Sequence, residues 1–299
     1  MRAALLLAAL LGAAFLAACG GHGADTATDT VLDLSSGREL PLNEAALGLR
    51  DADVVFLGER HDSRADHAGQ LAVIKALAAT GRPLAVGLEM IPHTDQTALD
   101  AWVAGSLGED AMRRTFARDW GEPWELYRPI FVFCRDNKIP MRGLNVPSEI
   151  ARQVAEKGFS SLTPAQAAGL PPVACVIDPG YKDFLKRMYE AHGHEGHGGG
   201  SFEHFCEAQV VWDTAMAYYG VRYLTGVPDD ARAPGRTAAE APRPDRTLVV
   251  LCGMLHAWKP AMPARVHGLQ PGLVLAVFLP REQGAPRPST DDADYLLPE

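Results

Sequence analysis

Apolar positions along the chain fall into short unbroken runs separated by segments of helical period. Asp53-Val54-Val55-Phe56-Leu57-Gly58 is such a run, and a strand apolar on both faces predicts burial within a parallel sheet. Asp62 can cap a helix from about Ser63 to Ala79 with Leu71, Ile74, Leu77 and Ala78 on its apolar side, stopped by Gly81. Leu84 to Leu88 follows as a second strand, closing a βαβ unit. Helical spacing then predicts helices over 94–104, 108–118 and 123–136, the last with Pro123 at its first turn, and a strand from Ile139 to Leu144. Helices follow from Pro147 to about Lys157, from Thr163-Pro164, over 178–192 and over 202–224. Strands at 247–253 and 273–279 complete the set. The pattern predicts an α/β fold: a mainly parallel central sheet flanked by helices, with an inserted helical subdomain over about 94–224, in a single domain spanning 31–282. Residues 227–246 read as a surface loop without periodicity, and 283–299 as a polar, Pro-rich, frayed tail.

Composition narrows the function. The 299 residues are 47% hydrophobic, enough for one large or two small globular domains. Lys and Arg number 28 against 37 Asp and Glu, a formal charge of −9, so no phosphate-tracking basic surface is expected and nucleic acid is not an expected partner. Five cysteines without a CxxC pair make neither a disulfide scaffold nor a zinc ribbon. Cys134, Cys175, Cys206 and Cys252 could pair in an oxidising compartment, but Cys252 sits within an apolar strand and reads as a small hydrophobe.

Residues 1–18 form a signal peptide: Arg2, then an Ala/Leu-rich stretch about half as long as the roughly 20 residues of a membrane span. It ends Leu16-Ala17-Ala18-Cys19, which resembles a bacterial lipobox with Cys19 as the lipidated residue, and 19–30 then reads as a flexible tether. An ordinary cleaved signal is the alternative. The lipoprotein reading anchors the chain to a membrane through acyl chains, in the cell envelope. Gly20 after the cysteine is compatible with an outer-membrane destination in a Gram-negative cell, facing periplasm or surface.

Four strands deliver polar groups just past their carboxyl ends: Glu59 with His61, Glu89, Asn145 and His256. In an open α/β sheet that edge is where ligands bind. Carboxylates so close require a cation, a shared proton or a histidinium between them. Two chemistries suit the set: water activation by a His-carboxylate pair, making a hydrolase of Glu59, His61, Glu89 and His256, or a divalent metal held by imidazoles and carboxylates. GxSxG, HExxH, P-loop and strand-following GxGxxG motifs are absent from the sequence.

Several motifs in order carry a family resemblance: Gly58-Glu59-Arg60-His61-Asp62 with His67 and Gln70, Gly87-Leu88-Glu89-Met90, and Trp124-Glu125-Leu126-Tyr127-Arg128-Pro129. They continue as Leu144-Asn145-Val146-Pro147, Ala208-Gln209 with Trp212-Asp213 and Met216-Ala217, and Val250-Leu251-Cys252-Gly253-Met254-Leu255-His256. The chain resembles the ChaN-like haem-binding lipoprotein family, whose superfamily includes erythromycin esterases and Tiki/TraB proteins, over about residues 30 to 280. The resemblance implies a ChaN/erythromycin-esterase-like α/β fold and a lipid-anchored protein that binds haem for iron acquisition or storage. An unidentified haem or iron transporter is then its implied partner. The esterase branch uses the Gly-Glu-x-His element for water activation, and Tiki-type members a Gly-x-x-His element of the form Gly253 to His256, so hydrolase readings stay open. Past His256 the family tends toward a Gly-Ile-Pro turn, where this chain has Ala261-Met262-Pro263.

Haem needs an axial donor, a dry slot and cations for its propionates. Candidate phenolates are Tyr127, Tyr181 and Tyr189; candidate imidazoles are His192, His194, His197 and His204, a cluster that equally suits a transition-metal-binding loop. Tyr181 precedes Phe184 and Leu185 on one helix, near Lys182, Lys186 and Arg187, while core packing is the competing role for it. The ligand is expected between the strand-end crevice and the helical insertion, with Gln209 and Asp213 facing the crevice and Trp212, Met216 and Tyr219 lining either the slot or the core. A flat ligand is readily buried between identical faces, which keeps a homodimer open.

Overall fold

The computed structural model describes residues 30–121, 123–173, 179–192, 201–226, 244–282, 284 and 286–298. The strands are β1 Thr30–Asp33, β2 Arg38–Pro41, β3 Val54–Glu59, β4 Leu84–Pro92, β5 Met141–Asn145, β6 Thr247–Gly253, β7 Leu275–Pro280 and β8 Tyr295–Leu297. The helices are α1 Leu42–Gly48, α2 Arg64–Ala79, α3 Gln96–Ala104, α4 Glu109–Asp119, α5 Trp124–Asp136, α6 Ser148–Lys157, α7 Pro164–Ala168, α8 Pro179–His192, α9 Phe202–Thr225, α10 Met254–Ala257 and α11 Met262–Leu269. Together they make the mixed, mostly parallel α/β sheet with flanking helices that the sequence predicts.

The strands form one sheet in the order β2-β1-β8-β7-β3-β6-β4-β5, parallel from β8 to β5 and antiparallel at the β1 end. Within the sheet, alternate residues go to opposite cores. Val55 and Leu57 of β3 join Val86, Leu88, Val249 and Leu251 under α2, α3 and α5, where Ile74, Trp102 and Phe131 fill the space. Val54 and Phe56 join Leu248, Val250 and Val277 beneath α6, α9 and α11, with Ala151, Met216 and Val266. Double coverage explains why these strands read as continuous apolar runs.

Two segments depart from the sequence reading. Residues 30–48 fold into β1, β2 and α1, which the sequence reading left as tether and unassigned chain. The C-terminal segment is not a frayed tail beyond a domain ending at 282: β8 lies between β1 and β7, with Leu296 and Leu297 buried. A three-residue strand carries too short a pattern to stand out beside the Pro-rich residues before it, and it is held by the preceding strand β7 on one side and by β1, from the other end of the chain, on the other. The signal peptide, Cys19 and most of 227–246 lie outside the described residues. No described helix is long and apolar enough to cross a membrane.

Candidate functional site

β6 sits between β3 and β4, although β3 and β4 are consecutive in sequence, and β7 lies on the other side of β3. The chain thus switches direction across the sheet at this point, and the carboxyl ends of β3, β6 and β4 open into one crevice.

Glu59 ends β3 and is buried. Its Oε1 accepts from the Tyr127 hydroxyl at 2.6 Å and lies 3.0 Å from His61 Nδ1; its Oε2 accepts from Gln70 Nε2 at 2.7 Å. His67 Nδ1 lies 3.5 Å from the same Oε2 and 3.1 Å from Gln70 Oε1, while its Nε2 faces the His61 carbonyl at 3.0 Å. Burial raises the Glu59 pKa, but His61, His67 and Tyr127 outweigh it and hold the carboxyl below its ordinary range. Burial and the neighbouring Glu59 charge push Tyr127 far above the ordinary phenol range, so it serves as a donor and not as a phenolate.

Glu89, on β4, forms the second half of the site. Its Oε2 accepts from the Gly253 backbone N–H at 2.6 Å, and its Oε1 lies 3.5 Å from His256 Nε2. The other nitrogen of His256, Nδ1, lies 2.7 Å from Asp213 Oδ1, and the second oxygen of Asp213 accepts from the Tyr181 hydroxyl. Burial alone would lower the His256 pKa; the charge of Glu89 and the Asp213 hydrogen bond reverse this and raise it. Asn145 donates to the Glu89 backbone carbonyl at 2.8 Å and accepts from Val146 N–H, so it shapes the turn after β5.

The two halves meet over Gly253. A Cβ there would stand 2.8 Å from His61 Cε1 and 3.0 Å from its Nε2, so a side chain at this position would displace the ring. Each histidine also meets an indole edge-on: His61 against Trp120 at 4.9 Å between centroids, His256 against Trp212 at 5.6 Å.

The crevice opens into a cavity of about 760 Å³ lined by these strand ends and by residues of α4, α6 and α9. That volume falls in the range of small-molecule sites, about 300–1,000 Å³. Met90, Trp120, Val146, Phe205, Trp212 and Leu255 give it apolar walls, and Arg60, Arg118 and Arg152 supply cations. Gln209 lines it while only 4% exposed, and its Oε1 has no hydrogen-bond partner. A roomy, largely apolar chamber with accessible imidazole, thioethers and an orphaned amide acceptor fits a large amphipathic ligand such as haem. Among the described residues, no three His, Cys, Asp or Glu side chains stand together as a metal site.

The sequence-predicted residues thus separate into groups. Glu59, His61, Glu89, Asn145, Gln209 and His256 line one cavity. Tyr181 does not: it is 4% exposed, packs with Phe184, Leu185 and Tyr189 against α9, and its hydroxyl is engaged by Asp213, which with burial raises its pKa well above the phenol norm. Tyr189 is buried in the same cluster, the core-packing outcome. His204 lies away from the cavity, with Nδ1 3.2 Å from the Glu156 carbonyl. His194, His197, the His192 side chain and Cys175 lie outside the described residues. Met216 and Tyr219 belong to the core, while Trp212 alone of that stripe faces the cavity. Ala261, where the family tends to a glycine, is buried at the start of α11. Trp120 and Arg152 lacked a sequence signal, since each reads as an ordinary helix-end or helix-surface residue.

This open α/β protein, with its ligand cavity at the topological switch, has clear relatives. The family described as "Haem-binding uptake, Tiki superfamily, ChaN" matches residues 46–266, and the chain belongs to that haem-binding family, whose cofactor is haem. ChaN of Campylobacter jejuni, solved with cofacial haem bound, shares the fold: TM-score 0.68 at 18% identity, over 90% of this chain and 96% of that one. A mutant erythromycin esterase in its open conformation gives a TM-score of 0.45 at 13% identity over 79% of this chain and 72% of that one, too distant to argue from. The chloroplast protein RETICULATA-RELATED 5 of Arabidopsis thaliana is 24% identical over 146 residues, which span 46% of this chain and only 20% of that protein's length.

Proposed function

We propose that the protein binds haem in the cavity at the strand ends, between the crevice and α4, α6 and α9, with His61 as the residue that would hold the iron. The observation that carries this reading is the state of His61. Its Nδ1 lies 3.0 Å from the buried Glu59 carboxylate, a contact of the kind that orients a ligating histidine ring. The ring is also 39% exposed where it lines the cavity. His256, in contrast, is only 5% exposed and lies against Asp213 and Glu89. Bound haem supplies an iron centre with a strong visible absorption band. Around it, this chain excludes water with Trp120, Trp212 and Phe205 and holds the donor ring in place through Glu59 and Tyr127.

The remaining parts of the reading concern the setting. A lipidated Cys19 and the tether behind it would hold the protein at a membrane of the cell envelope, where capture or storage of haem iron and handover to a transporter are the expected roles. Cofacial binding in the Campylobacter protein supports a second copy of this chain bringing a second macrocycle face to face. Hemin titration of the purified chain followed by visible spectroscopy tests the core of the proposal: saturable binding with a Soret shift, lost in His61→Ala, supports it, and absence of saturable binding overturns it.

A second reading, hydrolysis of a small ester, has one observation in its favour: Glu59, His61, Glu89 and His256 line one cavity, and His256 is backed by the buried Asp213. Esterase and peptidase activity unchanged by both His61→Ala and Glu89→Ala would rule it out.

A further inference from the structure

The cavity's outer half is built from two helix faces. From α6 come Ser148, Ala151, Arg152, Ala155 and Glu156, one stripe at helical spacing, and from α9 come Phe205, Ala208, Gln209 and Trp212, another. Where the stripes face the cavity their central residues are alanines, with Ala151 and Ala208 2% and 0% exposed. Small side chains there let α6 and α9 pack closely behind the cavity wall, with the exposed Arg152 on the α6 side and the buried Gln209 amide on the α9 side.

Three arginines line the cavity, and two are already committed. Arg60 is clasped by Asp66, with Nη2 2.7 Å from Oδ1 and Nε 3.0 Å from Oδ2. Arg118 is bracketed by Asp95 and Asp119, each at 2.8 Å. Arg152 is exposed, and among the described residues it has no carboxylate within ion-pair distance. On the α9 side of the cavity, Gln209 Oε1 is buried and, among the described residues, has no hydrogen-bond donor, a costly condition unless something that enters the cavity supplies one.

We propose that the cavity wall built by α6 and α9 seats the carboxylate-bearing edge of the ligand, with the exposed Arg152 pairing with a carboxylate and the buried Gln209 hydrogen-bonding deeper along the same wall. A water that donates one hydrogen to Gln209 Oε1 and the other to a carboxylate oxygen satisfies both acceptors. Arg152 supplies the planar donor pair that carboxylates match. The inference rests on the haem reading above, and it selects for porphyrins with free propionates over neutral ones.

The test compares hemin with hemin dimethyl ester, whose propionates carry no charge, on the purified chain, by Soret titration at two ionic strengths. Wild type is expected to bind hemin about tenfold more tightly than the ester, with the difference shrinking at high salt. Arg152→Gln should abolish the preference by weakening hemin alone, and Arg152→Lys should restore part of it. Gln209→Leu should weaken hemin binding without changing the Soret position, because the axial donor is elsewhere. Equal affinity of wild type for the two porphyrins, or a preference that survives Arg152→Gln, overturns this inference while leaving haem binding intact. Failure of wild type to bind either porphyrin overturns both.

Discussion

Asp213 Oδ1 and His256 Nδ1 lie 2.7 Å apart with both side chains buried, and through them α9 grips α10, the short helix that follows β6. The same carboxylate takes the Tyr181 hydroxyl on its other oxygen, so one residue ties α8, α9 and α10 to the wall of the site. Replacing it removes a buried charge that helps raise the His256 pKa and puts an amide against both the His256 ring and the Tyr181 hydroxyl. Asp213→Asn is expected to cost roughly 3–5 kcal/mol, the range for breaking a buried pair by removing one partner, read by denaturant unfolding.

The pH dependence follows from the two shifted groups. His256 has its folded pKa raised above 6.5, so its contribution is fully present below about pH 6.5 and is lost as pH rises through the folded value. Glu59 has its folded pKa lowered from 4.5, so its contribution is present above about pH 4.5 and is lost as pH falls through the folded value. Stability against urea should therefore peak between these limits. In His256→Gln the decline on the alkaline side should flatten, with the acid limb unchanged.

Tyr127→Phe removes a 2.6 Å donor from the buried Glu59 carboxylate without altering packing volume. A loss of about 1–3 kcal/mol is expected, the cost of leaving a buried acceptor short of a donor, together with an acid limb displaced to higher pH. Unchanged stability would mean that His61 and Gln70 satisfy Glu59 alone.

Gly253→Ala places a methyl group 2.8 Å from the His61 ring. The ring must move, so the variant should keep its fold, lose about 1–3 kcal/mol and bind hemin with an altered or absent Soret shift. Far-UV circular dichroism and hemin titration of the same sample separate the two effects.

Leu296 is 3% exposed on β8, between β1 and β7. Leu296→Ala should destabilise the protein by about 2–5 kcal/mol in thermal or denaturant unfolding, the usual range for a core leucine. A frayed C-terminus would give no change.

The parts legible in the sequence are those whose signal is local. β3, β4 and β6 announce themselves as unbroken apolar runs because both their faces are covered, and a polar residue that reaches the crevice lies close to the end of each: Glu59 ends β3, Glu89 lies inside β4, and His256 follows β6 in α10. Glu59, His61, Glu89 and His256 could be collected from that rule alone. What escaped depends on partners far away in the chain. β1 and β8 are short strands stabilised by each other and by β7, so neither carries a pattern strong enough to show by itself. Tyr181 illustrates the same limit at the site: its sequence neighbours suggested a haem donor, whereas its partner is Asp213, 32 residues on and one helix away. Arg152 is distinguished from Arg60 and Arg118 only by what surrounds each, which spacing does not encode.

The most direct test of the account is hemin titration of wild type, His61→Ala and Tyr181→Phe in parallel, followed by visible spectroscopy. The account predicts saturable binding and a Soret shift in wild type, the same spectrum in Tyr181→Phe, and loss of the shift in His61→Ala. A wild-type spectrum that survives His61→Ala and disappears in Tyr181→Phe would contradict it and move the iron to the α8 side of the protein.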